Sequence, residues 1–126
     1  MTKLTRKAQK RRRQIARLKG AFAESLASLM LRLKGYRILE RGFRRPVGEV
    51  DIIARRGNIL VAVEVKQRPS IEMALGTIHT KQKRRIARAL EAYQSARSDM
   101  ALLDVRFDVI LVSSFFKRPY HLENAW

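Results

Sequence analysis

The chain has 126 residues, with 28 Lys and Arg against 11 Asp and Glu, for a formal net charge of +17. That length supports one self-folding domain, and the absence of cysteine excludes disulfides, thiolate metal sites and a thiol nucleophile. A hydrophobic share of 46% is too high for a disordered polycation. No apolar run reaches the ~20 residues of a membrane span, so the composition describes a basic globular domain suited to an anionic partner.

Residues 1–20 contain Lys3, Arg6, Lys7, Lys10, Arg11, Arg12, Arg13, Arg17 and Lys19 and no acid, which leaves +8 of the +17 on the other 106 residues. Residues 1–19 read as a basic arm that is flexible alone and binds phosphates, densest at Lys10, Arg11, Arg12 and Arg13. Residues 20–126 read as a single domain. A transit peptide shares the arm's bias, but no cleavage site stands out, and Glu24 and Arg32 interrupt the apolar core a secretory signal needs.

Ile15, Leu18, Phe22, Leu26, Leu29 and Leu33 recur at three- and four-residue spacing. They predict a helix over 8–34 that Gly35 ends. Gly20, Ala23, Ala27 and Leu31 form a second apolar or small face, which predicts burial between layers. Residues 36–43 predict a strand. EVDIIAR (49–55) and ILVAVEVK (59–66) predict a hairpin turning at Gly57-Asn58. Residues 67–77, with Pro69 and Gly76, predict a mobile loop. Thr80 is expected to cap a helix to Ala96 with Ile86, Ala89, Leu90 and Tyr93 as its apolar stripe. VRFDVILV (105–112) predicts a last strand, followed by a loop around Pro119 and a short tail.

If Gly57 and Asn58 are the two turn residues, Asp51 lies opposite Glu64 and Glu49 opposite Lys66. Strand alternation then puts all four on one face, with Val50, Ile52, Val61, Val63 and Val65 on the other. Facing carboxylates repel unless compensated, and Mg²⁺ favours one or two carboxylates plus water and phosphate oxygens. Lys66 adds a positive charge suited to a scissile phosphate. The same residues also read as solvent-face charges, with Lys66 neutralising Glu49 across the strands. Glu24 has only Gly20, Ala21, Ala27 and Ser28 at helical contact spacing, so it lacks a local salt bridge and reads either as a ligand position near the hairpin or as a carboxylate with a partner elsewhere in the fold. Gln82 projects with Ile86 and Tyr93 on the core side, where it either reaches the polar site or is a satisfied core amide. Lys81, Arg84, Arg85 and Arg88 make a basic stripe that reads as a solvated face and also suits a phosphate backbone. His79 and His121 lack metal-ligand spacing and read as surface residues.

Asp51 followed by Glu64-Val65-Lys66 resembles the D…E-x-K signature of the restriction-endonuclease-like PD-(D/E)-x-K superfamily, with Val50 where its name has Pro. The wider run GEVDIIARRGNILVAVEVKQR resembles the bacterial uncharacterised protein family 0102, the YraN-like proteins, related in fold to archaeal Holliday-junction resolvases. AESLA and GYRIL before it, and KQKRR, RFDVI and HLENAW after it, extend that resemblance. It covers residues 20–126 and leaves the arm unaccounted for. Ala23 replaces the Gly that often precedes the helical Glu in that family.

The resemblance implies a restriction-endonuclease-like α/β fold, a mixed sheet flanked by helices in the order α-β-β-β-α-β. It makes Asp51 and Glu64 ligands of Mg²⁺ or Mn²⁺, Lys66 the catalytic lysine, and Glu24 an accessory acid. Glu49 and Gln82 match family positions with lesser roles. The expected function is a metal-dependent nuclease acting on DNA, including branched, Holliday-junction-like DNA. The expected setting is cytoplasmic and nucleoid-associated, with no membrane, and a resolvase-like activity favours a homodimer. Two other classes stay open: a nucleic-acid-binding module with a structural acid cluster, and a ribonucleoprotein accessory protein bound through residues 1–20.

Overall fold

The computed structural model describes residues 2–113 and 117–126. Residues 114–116 of the predicted loop before Pro119 lie outside them. The element order is α1 (Lys3–Leu33), β1 (Arg37–Arg45), β2 (Gly48–Arg56), β3 (Ile59–Lys66), α2 (Ile71–Gly76), α3 (Thr80–Ser95), a 3₁₀ turn (Ser98–Met100), β4 (Asp104–Leu111) and β5 (Tyr120–Leu122). The strands form one mixed sheet in the order β1-β2-β3-β4-β5, with β3 and β4 parallel and the other neighbours antiparallel. The parallel step requires a crossover, and α3 supplies it. The predicted α/β class and element order hold, with β5 and two short helical pieces added.

Local chemistry explains the boundaries. Helix α1 ends where Gly35 donates to the Arg32 carbonyl (3.0 Å) and Tyr36 to the Leu31 carbonyl (2.9 Å), which satisfies two of its last carbonyls. Gly57 and Asn58 close the β2–β3 hairpin as expected, with Arg56 paired to Ile59. The segment predicted as a mobile loop contains α2, because the Ser70 hydroxyl accepts from Met73 N–H (3.3 Å) and caps it. At α3 the N-cap is His79 rather than Thr80, and it makes no side-chain cap bond.

The core divides across the sheet. On one face Ile86, Ala89, Leu90 and Tyr93 of α3 pack on Phe43, Val50, Ile53, Leu60 and Ala62. On the other, Ala27 and Leu31 of α1 pack with Ile52, Ala54, Val61, Val63 and Ile110. The predicted burial of α1 between layers is incorrect. Its small-residue face meets the sheet, while Ile15, Leu18, Phe22, Leu29 and Leu33 are exposed. Small side chains let helix and sheet approach closely, so the face that reads as weaker in hydrophobicity is the one that docks.

Gly48 sets the approach of α3 to the sheet. A Cβ there would lie 1.9 Å from the Arg85 carbonyl oxygen and 2.6 Å from its carbon, both backbone atoms that cannot rotate away. Gly48→Ala is therefore expected to cost about 3 kcal/mol or more, because α3 must be displaced from β2. Urea denaturation measures it, and a loss under about 0.5 kcal/mol would refute the contact.

Candidate active site

The β2–β3 ladder keeps the register predicted by the turn from Arg56/Ile59 to Ile52/Val63, and there it stops. Beyond that point β2 stays with β1, pairing Val50 with Phe43 and Glu49 with Arg44, while β3 stays with β4 through Lys66 and Leu111. The sheet thus splits at Asp51 and Glu64. Asp51 Oδ2 accepts the Val65 N–H (2.9 Å), a side-chain bond in place of a ladder bond.

The split also changes faces. Ile52 packs under α1, but Val50 packs under α3 beside Ile53. Arg41, paired with Ile52, reaches Ser25 of α1 (3.1 Å), whereas Phe43, paired with Val50, stacks edge-on against Tyr93 of α3 (5.4 Å). Both strands switch between these pairs, at Gly42 and Asp51, and Gly42 takes φ +64°, a left-handed conformation that glycine tolerates. The expected single face carrying Glu49, Asp51, Glu64 and Lys66, with Val50 and Ile52 together behind it, is corrected accordingly.

Two helices converge on the split. From α3, Gln82 Nε2 donates to Glu64 Oε1 (3.2 Å), and Lys66 Nζ lies 3.7 Å from that oxygen. From α1, Gly20, Ala23 and Glu24 line a cavity of about 240 Å³ shared with Asp51, Val65, Lys66, Gln67 and Arg68. The carboxyls of Asp51 and Glu64 lie close enough for each to act on the other's protonation. Glu64 is 7% exposed. Burial first, and the neighbouring Asp51 next, push its carboxyl up to about 8 despite the ammonium of Lys66. Burial also raises Asp51, against the Val65 N–H bond that opposes it. Glu24 is raised by burial and then by Asp51.

Geometry thus brings Glu24, Asp51, Glu64, Lys66 and Gln82 together. It does not place Glu49 opposite Lys66. Glu49 is largely exposed and pairs with Arg44 (3.6 Å), because β2 has left β3 by that residue. Lys10, Arg11, Arg12 and Arg13 are exposed on α1, and Lys81, Arg84, Arg85 and Arg88 are exposed on α3. Among the described residues no group of three or more His, Cys, Asp or Glu is arranged to hold a metal. The acid pair stands beside a lysine and an amide.

A raised carboxyl has a sign in stability. Glu64 folds with a higher affinity for its proton than the unfolded chain has, so its contribution is complete below the ordinary value of 4.5 and is lost as pH rises toward about 8. Metal-free protein should lose on the order of 3 kcal/mol from this group across that window, and Glu64→Gln should flatten the loss. Thermal melts in EDTA from pH 5 to 8.5 provide the check. A wild-type profile no steeper than that of Glu64→Gln would contradict it.

The expectation for His121 fails. Its side chain is 1% exposed, with Nε2 2.7 Å from Asp108 Oδ2 and Nδ1 2.7 Å from Lys34 Nζ. Lysine only donates, so Nδ1 accepts and Nε2 carries the proton given to Asp108. Asp108 also accepts from Arg106 Nε (2.8 Å) and Nη2 (2.7 Å) and from the Asn124 N–H (3.0 Å). Burial alone would raise Asp108, but the His121, Arg106 and Asn124 bonds outweigh it and hold its carboxyl below the usual range. Arg106 also donates to the Tyr36 hydroxyl. Trp126 stacks on Phe107 (5.5 Å), so the RFDVI and HLENAW runs form a clamp fastening the tail to β4 and α1. Metal-ligand spacing, the test applied to His121, carries no signal for a buried structural pair.

Fold and site together define a small α/β protein whose mixed sheet opens at one end around an acid pair, a lysine and an amide. The chain belongs to the uncharacterised protein family UPF0102, whose profile matches residues 23–112. That span includes Glu24, Asp51, Glu64, Lys66, Gln82 and Asp108. The chain is 42% identical over 120 residues to a UPF0102 protein of Paramagnetospirillum magneticum, covering 92% of each. It is 43% identical over 114 residues to one of a Chelativorans species, covering 90% of this chain and 91% of that one. It is 43% identical over 122 residues to one of a Caulobacter species, covering 96% and 87%. Among the described residues no helix is long and apolar enough to cross a membrane.

Proposed function

We propose that the protein is a divalent-metal-dependent nuclease of restriction-endonuclease-like type that hydrolyses phosphodiesters in nucleic acid, DNA first and branched DNA among its substrates. The observation that carries this reading is the neighbouring acid pair of Asp51 and buried Glu64 beside Lys66, with Asp51 and Lys66 lining a cavity. Two carboxyls held together away from water retain a proton unless a cation replaces it. Their hard oxygens fit Mg²⁺ or Mn²⁺, with water and phosphate filling the remaining positions. Bound metal would supply Lewis-acid charge to the phosphate and a more acidic water.

The chain's own groups do the rest. Val65 N–H fixes Asp51, and Gln82 fixes Glu64, so neither ligand must reorganise. Lys66 places a positive charge where phosphate charge develops. Glu24 faces the cavity from α1 as an accessory acid. The exposed cations of α1 and α3 draw the polyanion in.

Purified protein incubated with branched, duplex and single-stranded DNA should cut at least one of them with Mg²⁺ or Mn²⁺ and none in EDTA. No cleavage of any, with binding unchanged in Asp51→Ala and Lys66→Ala, would replace this reading with a non-catalytic nucleic-acid-binding protein. One observation favours that second reading: Glu64 has protein partners in Gln82 and Lys66.

A further inference from the structure

Helix α1 runs antiparallel to β3. Near its C-terminal end the Lys34 carbonyl accepts from Arg56 (3.3 Å), at the turn where β3 begins. Further back the Lys19 carbonyl accepts from Gln67 (2.9 Å), just past the end of β3. Everything before Lys19 therefore extends beyond the strand end where the acid pair sits. Residues 5–19 are exposed throughout, so packing on the sheet does not account for this half of the helix.

Its cations do have an order. The face of α1 that lines the cavity carries Glu24 and Gly20. Stepping back from Gly20 by three or four residues gives Arg17, Arg13, Lys10 and Arg6, which lie in line with Glu24 on one side of the helix. These four, with Gln9 and Gln14, line one continuous surface. They span about 16 Å of helix axis. Lys7, Arg11, Arg12 and Lys19 lie a quarter turn or more away from that line. Between Arg17 and Glu24 stands Gly20, where a Cβ would meet nothing within 4 Å, so the line runs into the cavity without obstruction.

We propose that the face formed by Arg6, Lys10, Arg13 and Arg17 is a rail for the sugar-phosphate backbone of one strand, leading it over Gly20 to Glu24 and Asp51. A single file of cations on a lone helix follows one backbone, whereas a duplex presents two. The substrate therefore carries an unpaired strand adjoining the bond to be cut. No aromatic residue occurs in residues 1–19 to stack on bases, so recognition along the rail is ionic, independent of sequence and strongly salt-dependent. The rail rests on the nuclease reading only for what happens inside the cavity.

The test compares two full-length variants that each lose four charges: Arg6→Gln, Lys10→Gln, Arg13→Gln and Arg17→Gln on the rail, and Lys7→Gln, Arg11→Gln, Arg12→Gln and Lys19→Gln off it. Glutamine keeps helix propensity close to that of Arg and Lys. Binding is read by fluorescence anisotropy in EDTA, on duplex DNA with and without a single-stranded tail, over a salt series. The rail variant should lose about 3 from the salt slope on tailed DNA and bind it at least about tenfold more weakly than the off-rail variant. The tail should strengthen binding by wild type and the off-rail variant only. Equal losses in the two variants, or no effect of the tail on wild type, would overturn the rail. Failure of wild type to cut tailed DNA with Mg²⁺, with the binding difference intact, would instead remove the hydrolase reading alone.

Discussion

Asp108→Ala is expected to lower stability by about 3–5 kcal/mol. The substitution leaves the side chains of Arg106 and His121 without the carboxylate that binds both, and frees the Asn124 N–H. Domains of this size have about 5–15 kcal/mol in total, so much of the margin disappears. The loss should be greatest at neutral pH. A carboxyl held below its ordinary value stabilises above the unfolded value of 3.8, and that stabilisation is lost as pH falls through the lower folded value. Replacing both partners, as Arg106→Met with Asp108→Leu, should recover part of the loss, because no buried charge then stands alone. Urea denaturation of the three proteins decides the matter, and a single-variant loss under 1 kcal/mol would show that the clamp is dispensable.

The second large effect separates activity from stability. Lys66→Ala and Asp51→Asn should each reduce single-turnover cleavage at least 100-fold, on the scale of removing one preorganised charge from a reaction centre. Asp51→Asn should at the same time leave thermal stability unchanged or raised, since it removes one of two neighbouring acids. A structural ion pair would behave in the opposite way: its loss would destabilise the fold. Parallel measurements of cleavage and melting temperature tell the two apart, and a joint fall in stability and activity would count against a reaction centre.

Much of this was legible in the residues. The Gly57-Asn58 turn fixes the β2–β3 register, and helical spacing correctly directs Gln82 toward the carboxylates. What pattern reading does not supply is the split of the sheet. Alternation assumes that a strand keeps one face, but Gly42 on β1 lets β1 and β2 switch faces together, and that cause lies on a strand other than the one bearing the acids. Glu49 was misplaced for this reason. Helix α1 failed differently, since both of its apolar faces have helical period and only contact with the sheet selects the small one. The partners of His121 are Lys34 at the C-cap of α1 and Asp108 of β4, so no local spacing announces its burial.

On the proposed function, Asp51 and Glu64 would together hold a divalent cation. Calorimetric titration of Mn²⁺ into the protein at pH 7 tests it most directly. The account predicts one site, release of close to one proton because Glu64 is pushed up to about 8, and loss of the site in Asp51→Asn and Glu64→Gln. No binding by wild type, or binding that both variants retain, would contradict it.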